Sequence, residues 1–83
     1  MAEKNGQERR GRVTAVRGSV IDVYFPGSLP ERGWSLTAGE NGEVTVEVTD
    51  HLDERTVRAI ALNPTRGLER GAPVVDSGEM IRV

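Results

Sequence analysis

The residues best suited to acid–base chemistry lie in one polar segment between two apolar stretches. His51 is the single histidine, and Asp50, Asp53 and Glu54 surround it. A histidine can move a proton when a carboxylate orients its ring. This segment pairs the histidine with no nucleophile, so it lacks the arrangement of a hydrolytic triad. We therefore interpret His51 as an exposed side chain in a charged loop between strands.

Metal binding has little support in the residue types or in their spacing. The carboxylates around His51 lack the ligand spacing of a twelve-residue calcium loop. The chain has no cysteine and one histidine, which argues against zinc. We expect a solvated loop here and no metal ligands in the chain.

A phosphate-binding loop is also missing from the sequence. Such a loop needs two glycines followed by Lys and then Ser or Thr, so that backbone N–H groups and an ammonium reach the phosphates. Lys4 is the only lysine, and no glycine-rich run of this kind surrounds it. Gly67 and Gly71 lead instead to Pro73, which has no N–H to donate. We predict no catalytic and no cofactor-binding residues in this chain.

Short apolar stretches alternate with turn signals from Gly11 onward. Val44, Val46 and Val48 alternate with polar residues, as in a half-buried strand. The predicted strands are residues 13–17, 20–25, 34–38, 44–48 and 56–62, then a short strand at 74–75 and a last one at 80–83. Between the last two we predict a turn at residues 76–78, and between the third and fourth a hairpin at Asn41-Gly42. A further turn region is predicted at residues 67–73, and Leu68 is its predicted apolar anchor.

No segment has sustained helical periodicity, and about six short strands with Gly-rich turns are typical of a small barrel. We predict an all-β fold, a small closed six-stranded and mainly antiparallel barrel, because closure removes exposed strand edges. Residues 1–10 are polar and without periodicity, and we predict that they form a disordered tail. Residues 11–83 then form the single domain.

Composition narrows the function classes. The chain has 83 residues, a net charge of −2 and no long apolar run, whereas a membrane-spanning helix needs about 20 apolar residues. Non-specific nucleic-acid binding needs a positive excess, which is missing here. All cationic side chains except Lys4 are arginines, a residue favoured at bidentate ion pairs and interfaces, although codon usage explains the bias as well.

The three aromatic residues leave a second function open. Tyr24 and Phe25 could stack bases in a free-standing barrel that binds single-stranded nucleic acid, although core packing explains either of them. Trp34 follows a flexible loop and either anchors an interface or covers one barrel end. A self-contained enzyme is the third possibility, and the sequence offers no clustered nucleophile, base or ligand set for it.

The residue pattern from Gly11 to Val83 resembles the N-terminal barrel domain of the beta subunit of rotary, F-type ATP synthases. His51-Leu52 and Thr56-Val57-Arg58 favour the beta over the alpha subunit. Further matches, in order, are Gly11-Arg12-Val13, Gly18, residues 20–23, Phe25-Pro26-Gly27, Leu29-Pro30, Glu47-Val48, Ile60-Ala61, Thr65, Gly67-Leu68, Arg70-Gly71, Val75-Asp76, Gly78 and Ile81. Ser19 and Asp53 depart from the common pattern, which indicates a divergent branch of the family, sodium-linked or otherwise alternative, rather than another fold.

This resemblance implies a non-catalytic assembly role. In the family, alternating alpha and beta barrels form a crown that holds the catalytic head together, in a hetero-hexameric ring with alpha subunits. The parent complex couples the transport of protons or sodium ions to ATP synthesis or hydrolysis. This domain would lie peripherally, on the cytoplasmic face of a prokaryotic membrane, and would not insert into it. ATP, ADP and Mg²⁺ bind in the domain that follows, which this chain does not include.

A ring of this kind needs lateral contact surfaces. The candidate subunit-interface residues are Arg12, Arg17, Arg58 and Arg70, although each taken singly is also compatible with a solvated strand face. Because one barrel type cannot rebuild an alternating ring, we expect a monomer or weak self-association for the isolated chain.

Overall fold

A computed structural model describes residues 9–80, and there the chain forms six strands and no helix. The strands are β1 (Arg9–Arg17), β2 (Val20–Tyr24), β3 (Trp34–Ala38), β4 (Val44–His51), β5 (Thr56–Ala61) and β6 (Pro73–Met80). All neighbouring pairs are antiparallel and close into a barrel in the order β1-β2-β5-β4-β3-β6. The predicted all-β closed barrel is confirmed. Within residues 9–80, no helix is long and apolar enough to cross a membrane.

Alternation along each strand places one set of side chains in the barrel interior. On β5, Val57 and Ala59 are buried while Ile60 is exposed. The buried apolar residues are Val13, Ile21, Val23, Phe25, Leu36, Ala38, Val44, Val46, Val48, Val57, Ala59, Leu68 and Val74. The side chains of the alternate positions form the outer wall, which is the surface that a partner would meet.

Loops close both ends of the barrel. At one end, the loop after β5 brings Leu68 against the core, where it is 8% exposed, as the sequence predicted. At the other end, the loop between β2 and β3 supplies Phe25 and Pro30, which are fully buried. Because β1 begins and β6 ends at this second end, the chain enters and leaves the described barrel on the same side.

The last strand corrects a sequence prediction. Residues 76–78 do not form a turn but lie inside the continuous strand β6. The register against β3 shifts there, from Leu36 opposite Asp76 to Ser35 opposite Glu79. The Asp-Ser-Gly sequence therefore marks a bulge, in which extra residues are accommodated without ending the strand. The rest of the predicted last strand, residues 81–83, lies outside the described residues.

The start of the domain also differs from the prediction. Arg9 and Arg10, assigned to the tail from sequence, pair with Asp76 and Val75 of β6 and belong to β1. Backbone pairing with a distant strand orders these two polar residues, which local apolar periodicity cannot reveal. The predicted tail at residues 1–8 lies outside the described residues.

The predicted hairpin between β3 and β4 exists, but its turn is different. The strands pair at Ala38 and Val44, so the loop has five residues. The Gly42 N–H donates to the Gly39 carbonyl at 3.1 Å, which places Glu40 and Asn41 at the centre. Gly39 and Gly42 have φ of 104° and 65°. A two-residue hairpin turn would need positive φ values at Asn41 and Gly42. In the structure, positive φ values occur at Gly39 and Gly42 instead.

Candidate functional site

The outer wall of β1, β2 and β5 carries a three-residue ion cluster. Asp22 of β2 lies opposite Arg58 of β5. The Nε and Nη2 groups of Arg58 donate to the two carboxylate oxygens of Asp22, at 2.9 and 3.2 Å. The hydrogen bond that Arg58 donates to Asp22, and then the negative charge of Asp22, raise the pKa of Arg58 above its ordinary value. Bidentate geometry of this kind holds the guanidinium in one orientation.

Arg17 joins the same carboxylate from the end of β1. Its Nη1 lies 3.9 Å from Oδ2 of Asp22, and its side chain is 65% exposed. Two of the four arginines predicted as interface residues therefore converge on one acid. Arg58 is oriented by a direct bidentate pair, whereas Arg17 keeps most of its surface available to another molecule.

The other two predicted interface arginines, Arg12 of β1 and Arg70 of the loop before β6, lie together at a second place on the surface. Arg12 and Arg70 both line a shallow groove of about 310 Å³ with Val13, Thr14 and Gly71. The Arg12 guanidinium lies 5.0 Å above the Tyr24 ring, a cation–aromatic contact. Arg70 is exposed in the loop before β6. The structure thus separates the predicted set into two pairs and leaves its role as an interface untested.

Four strands align one row of outward side chains around the barrel. Arg17 lies opposite Val20, Val20 opposite Ile60, and Ile60 opposite Glu47. We call Arg17, Val20, Ile60 and Glu47 the outer row. It has an apolar centre, a cation at one end and an anion at the other. Ile60 is 39% exposed and the neighbouring Leu62 is 51% exposed, so the apolar centre faces solvent in the isolated barrel.

His51 is not surrounded by catalytic partners. It is the exposed last residue of β4, not a loop residue, and its Nε2 lies 2.8 Å from the Pro30 carbonyl oxygen. Because a carbonyl only accepts, Nε2 carries the proton and donates. The contact ties the loop after β2 to the barrel. Asp53 and Glu54 are exposed in the following turn, and among residues 9–80 no cluster of three His, Asp or Glu could hold a metal ion.

The glycine-rich loop before β6 does not fit a nucleotide phosphate. Its cavity of about 190 Å³ is lined by three acids, Glu40, Glu43 and Glu69, and by one cation, Arg70, so the net charge of the lining disfavours an anion. Three of its N–H groups, those of Leu68, Gly71 and Ala72, already donate to backbone carbonyls. Ligand pockets usually measure about 300–1,000 Å³. This loop is therefore a poor cradle for the phosphates of ATP or ADP.

Sequence reasoning missed the acids that organise these arginines. Asp22 is 7% exposed and Asp76 is 1% exposed, and Arg9 donates to Asp76 at 2.8 Å. The signal for Asp22 was present, because a carboxylate inside the apolar run Val20-Ile21-Asp22-Val23 requires a partner if it is buried. Its partner could not be read from the sequence, because Arg58 lies 36 residues away.

Comparison with known proteins identifies the family. The profile described as ATP synthase alpha/beta family, beta-barrel domain, matches residues 13–78. The chain is similar to ATP synthase subunit beta 2 of Shewanella frigidimarina (strain NCIMB 400), with 47% identity over 78 residues that cover 94% of this chain and 16% of the relative. It is also similar to ATP synthase subunit beta 3 of Paraburkholderia xenovorans (strain LB400), with 51% identity over 85 aligned residues that cover 99% of this chain and 17% of the relative.

The chain spans about one sixth of the length of these relatives. The matched residues, 13–78, coincide with the closed barrel formed by β1 to β6. Fold and sequence similarity thus agree along the described part of the chain. The chain therefore belongs to the ATP synthase alpha/beta family, as the N-terminal beta-barrel domain of a beta subunit.

Proposed function

We propose that this barrel is a non-catalytic assembly domain, which packs side by side with barrels of alpha subunits and so holds the head of an F-type ATP synthase together. The proposal rests on the similarity to beta subunits, because the barrel domain is common to the alpha and beta subunits of this family. A closed wall supports it, since a barrel without free strand edges can only be joined through its outer side chains and loops.

The observation that carries the proposal is that the buried acids form ion pairs with arginines of the barrel itself. The buried acids Asp22 and Asp76 bind the arginines Arg58 and Arg9, and neither pair lines the cavity beside the loop before β6 or the groove at Arg12 and Arg70. The exposed polar and apolar groups are instead spread over the outer wall. Such a surface supports contact with another protein better than it supports a reaction.

Nucleotide titration tests the non-catalytic part of the proposal. Isothermal titration calorimetry of this chain with Mg-ATP should give no saturable heat at micromolar concentrations, because the cavity beside the loop before β6 carries three acids against one arginine and three N–H groups of that loop donate to backbone carbonyls. A micromolar Kd would overturn this part. Bovine serum albumin at equal concentration serves as the control for heats of dilution and non-specific binding.

Mixing with the alpha subunit of the same organism tests the assembly part. Sedimentation velocity should detect a complex of the two proteins, while this chain alone sediments as a monomer or self-associates weakly. A stable homo-oligomer at micromolar concentration, with no complex on mixing, would contradict the proposal.

For the parent polypeptide, we propose the catalytic role of a beta subunit. Its site for ATP, ADP and Mg²⁺ would lie in the segment that follows this barrel, and the complex would couple nucleotide chemistry to proton or sodium transport at the cytoplasmic face of a membrane. The residues encoded after Val83 test this directly, because a Gly-rich loop ending in Gly-Lys-Thr is expected within about one further domain length.

Binding of single-stranded nucleic acid is a weaker alternative. The one feature that favours it is the Arg12 and Tyr24 pair on the outer wall, whereas Phe25 is in the core and the net charge is −2. Fluorescence anisotropy with a labelled single-stranded oligonucleotide should show no salt-dependent binding. Binding that weakens steeply with salt would revive this alternative.

A further inference from the structure

We propose that the groove lined by Arg12, Val13, Thr14, Arg70 and Gly71 is a binding site for a single phosphate group. We call these five residues the arginine groove. One wall is β1 and the other is the loop before β6, and each wall contributes one guanidinium to the phosphate oxygens. This inference goes beyond the assembly role and does not depend on it.

Backbone hydrogen bonds between the two walls fix the arginine groove. The N–H of Gly71 donates to the Val13 carbonyl at 2.7 Å, and the N–H of Val13 donates to the Ala72 carbonyl at 2.9 Å. Arg12 and Arg70 each immediately precede a residue of this linkage, so their backbones are held beside each other. A Cβ at Gly71 would meet no atom within 4 Å, which leaves open space next to both arginines.

The Arg12 guanidinium is held in place while its donors lack an oxygen acceptor. It lies 5.0 Å above the Tyr24 ring. This contact stabilises the positive charge but supplies no oxygen to the five N–H donors of the group. A phosphate suits these donors, because the planar fork of a guanidinium binds two phosphate oxygens at once. The ring face that Arg12 covers is not available to a nucleobase, which favours a phosphate group over a base.

Neither arginine of the groove has a carboxylate partner among the described side chains. Arg58 and Arg9, by contrast, donate to the buried acids Asp22 and Asp76. The lining of the groove also contains no acid. Two cations that share one concave surface without a neutralising acid create a local positive potential, which attracts an anion from solution.

The neighbouring cavity restricts the size of the ligand. Arg70 and Gly71 also line that cavity, together with Glu40, Glu43 and Glu69, so acids border the arginine groove on one side. A long polyanion that extended past Arg70 would meet these carboxylates, whereas a single phosphate group can remain on the β1 side. The groove measures about 310 Å³, at the lower end of the range of about 300–1,000 Å³ for ligand sites.

The affinity should be low. Both guanidinium groups are on exposed residues, where water competes for their donors, and we expect a Kd on the order of 1–10 mM. Such a site responds to millimolar phosphate and gives no saturable heat with micromolar Mg-ATP. The two expectations are therefore compatible.

The test is an NMR titration of the ¹⁵N-labelled chain with sodium phosphate and, separately, with O-phosphoserine. The amide signals of Arg12, Thr14, Arg70 and Gly71 should shift along saturable curves. Sodium chloride added to the same ionic strength should not reproduce these shifts. Binding of inorganic phosphate alone would support a site for the free ion, and binding of O-phosphoserine as well would support a site that also accepts phosphate esters.

Variants then locate the site. Arg12→Gln and Arg70→Gln should each raise the Kd about fivefold or more, since each removes a charge-assisted contact. Arg66→Gln removes the same charge from an exposed loop residue outside the groove and should change the Kd less than about twofold. Arg70→Lys keeps the charge without the planar fork, so it should recover only part of the loss. Arg70→Gln keeps the test valid even if Arg12→Gln, which loses the Tyr24 contact, does not fold.

Two results would overturn the phosphate site. Shifts that rise without saturation, or that are equally large around Arg32 and Arg66, would mean that phosphate acts only as part of the ion atmosphere. Equal Kd values for Arg70→Gln and Arg66→Gln would exclude the arginine groove as the place of binding. The assembly role is tested by sedimentation with the alpha subunit, and its outcome is independent of these results.

Discussion

Arg9 and Asp76 form an ion pair across the seam at which the first and last strands close the barrel. Their backbones lie directly opposite each other in the β1–β6 ladder, and Nη1 of Arg9 donates to Oδ2 of Asp76 at 2.8 Å. The Asp76 side chain is 0% exposed and that of Arg9 is 31% exposed. Arg9 also donates from Nε to Ser28 and lies over the Trp34 ring at 5.5 Å. One side chain therefore connects the seam, the loop after β2 and the start of β3.

Replacement of Arg9 should weaken the barrel more than the loss of an ordinary surface arginine. The change Arg9→Met leaves a buried carboxylate without this cation, and we expect a loss of about 2–3 kcal/mol in the free energy of unfolding. Arg66→Met, in an exposed loop, should change it by less than about 0.5 kcal/mol. Urea denaturation followed by circular dichroism measures both.

The double variant Arg9→Met/Asp76→Leu distinguishes the ion pair from the other contacts of Arg9. If the buried carboxylate causes most of the loss, its removal should restore part of the stability. A double variant as unstable as the sum of the two single variants would mean that the contacts with Ser28 and Trp34 dominate instead.

Gly11 should not tolerate even a methyl group. A Cβ at this position would overlap the Tyr24 carbonyl oxygen and lie 2.9 Å from Cδ1 of the buried Phe25. We expect Gly11→Ala to cost about 1–3 kcal/mol in the free energy of unfolding through overpacking.

Gly27 provides the matched control for Gly11, because a Cβ there meets no atom within 4 Å. Gly27→Ala should be neutral or slightly stabilising, since it restricts the unfolded chain. Equal effects of the two substitutions in thermal unfolding would refute the steric explanation for Gly11.

Asp53 should make a small contribution to stability that disappears in acid. The Arg55 N–H, followed more weakly by the hydroxyl and N–H of Thr56, lowers the pKa of this carboxyl below its ordinary value of 3.8, and the bond from Arg55 is 2.8 Å long. A carboxyl with a lowered pKa in the folded state stabilises above its unfolded pKa and loses that contribution as the pH falls through the folded value.

The variant Asp53→Ala measures this contribution. The difference in Tm between the unaltered chain and Asp53→Ala should be largest near pH 7 and should shrink as the pH falls below about 4. A difference that grows on acidification would have the wrong sign and would exclude this account of Asp53.

Asn63 should protect the end of the β4–β5 pair. Its Oδ1 accepts the Thr45 N–H at 2.7 Å and its Nδ2 donates to the Glu43 carbonyl at 2.8 Å, so the side chain continues the ladder after β5 ends. We expect Asn63→Ala to cost about 1–2 kcal/mol in the free energy of unfolding and to speed amide exchange at Thr45.

Asn41 is the control for Asn63, because its side chain is exposed in the loop between β3 and β4. Asn41→Ala should leave amide exchange at Thr45 unchanged. Unaltered exchange at Thr45 in Asn63→Ala would show that the two side-chain hydrogen bonds do not persist in solution.

The strands and the family could be predicted from the sequence because both depend on local order. The alternation of Val44, Val46 and Val48 has the two-residue period of a strand, and all three are buried. The position of Leu68 as an anchor followed from its place among turn residues. Local turn signals were less reliable, since the sequence around Ser77 predicted a turn and the structure has a bulge within β6.

The candidate surface could be predicted only in part. Arg17 and Arg58 were recognised by residue type, but their common acid, Asp22, was not. Val20 and Ile60 were assigned to strands with no indication that they would lie side by side. Nothing in the local pattern states which strands become neighbours or in which register.

By itself, the sequence determined that this chain forms short strands, that it contains no Gly-x-x-x-x-Gly-Lys phosphate loop, and that it resembles a beta-subunit barrel. Only the tertiary structure decided which charges meet and which apolar groups stay outside. Arg9 and Asp76 are separated by 67 positions, and barrel closure alone brings them together. The physical reason is that the two-residue period of a strand is local, whereas pairing and register are set by the packing of the whole barrel.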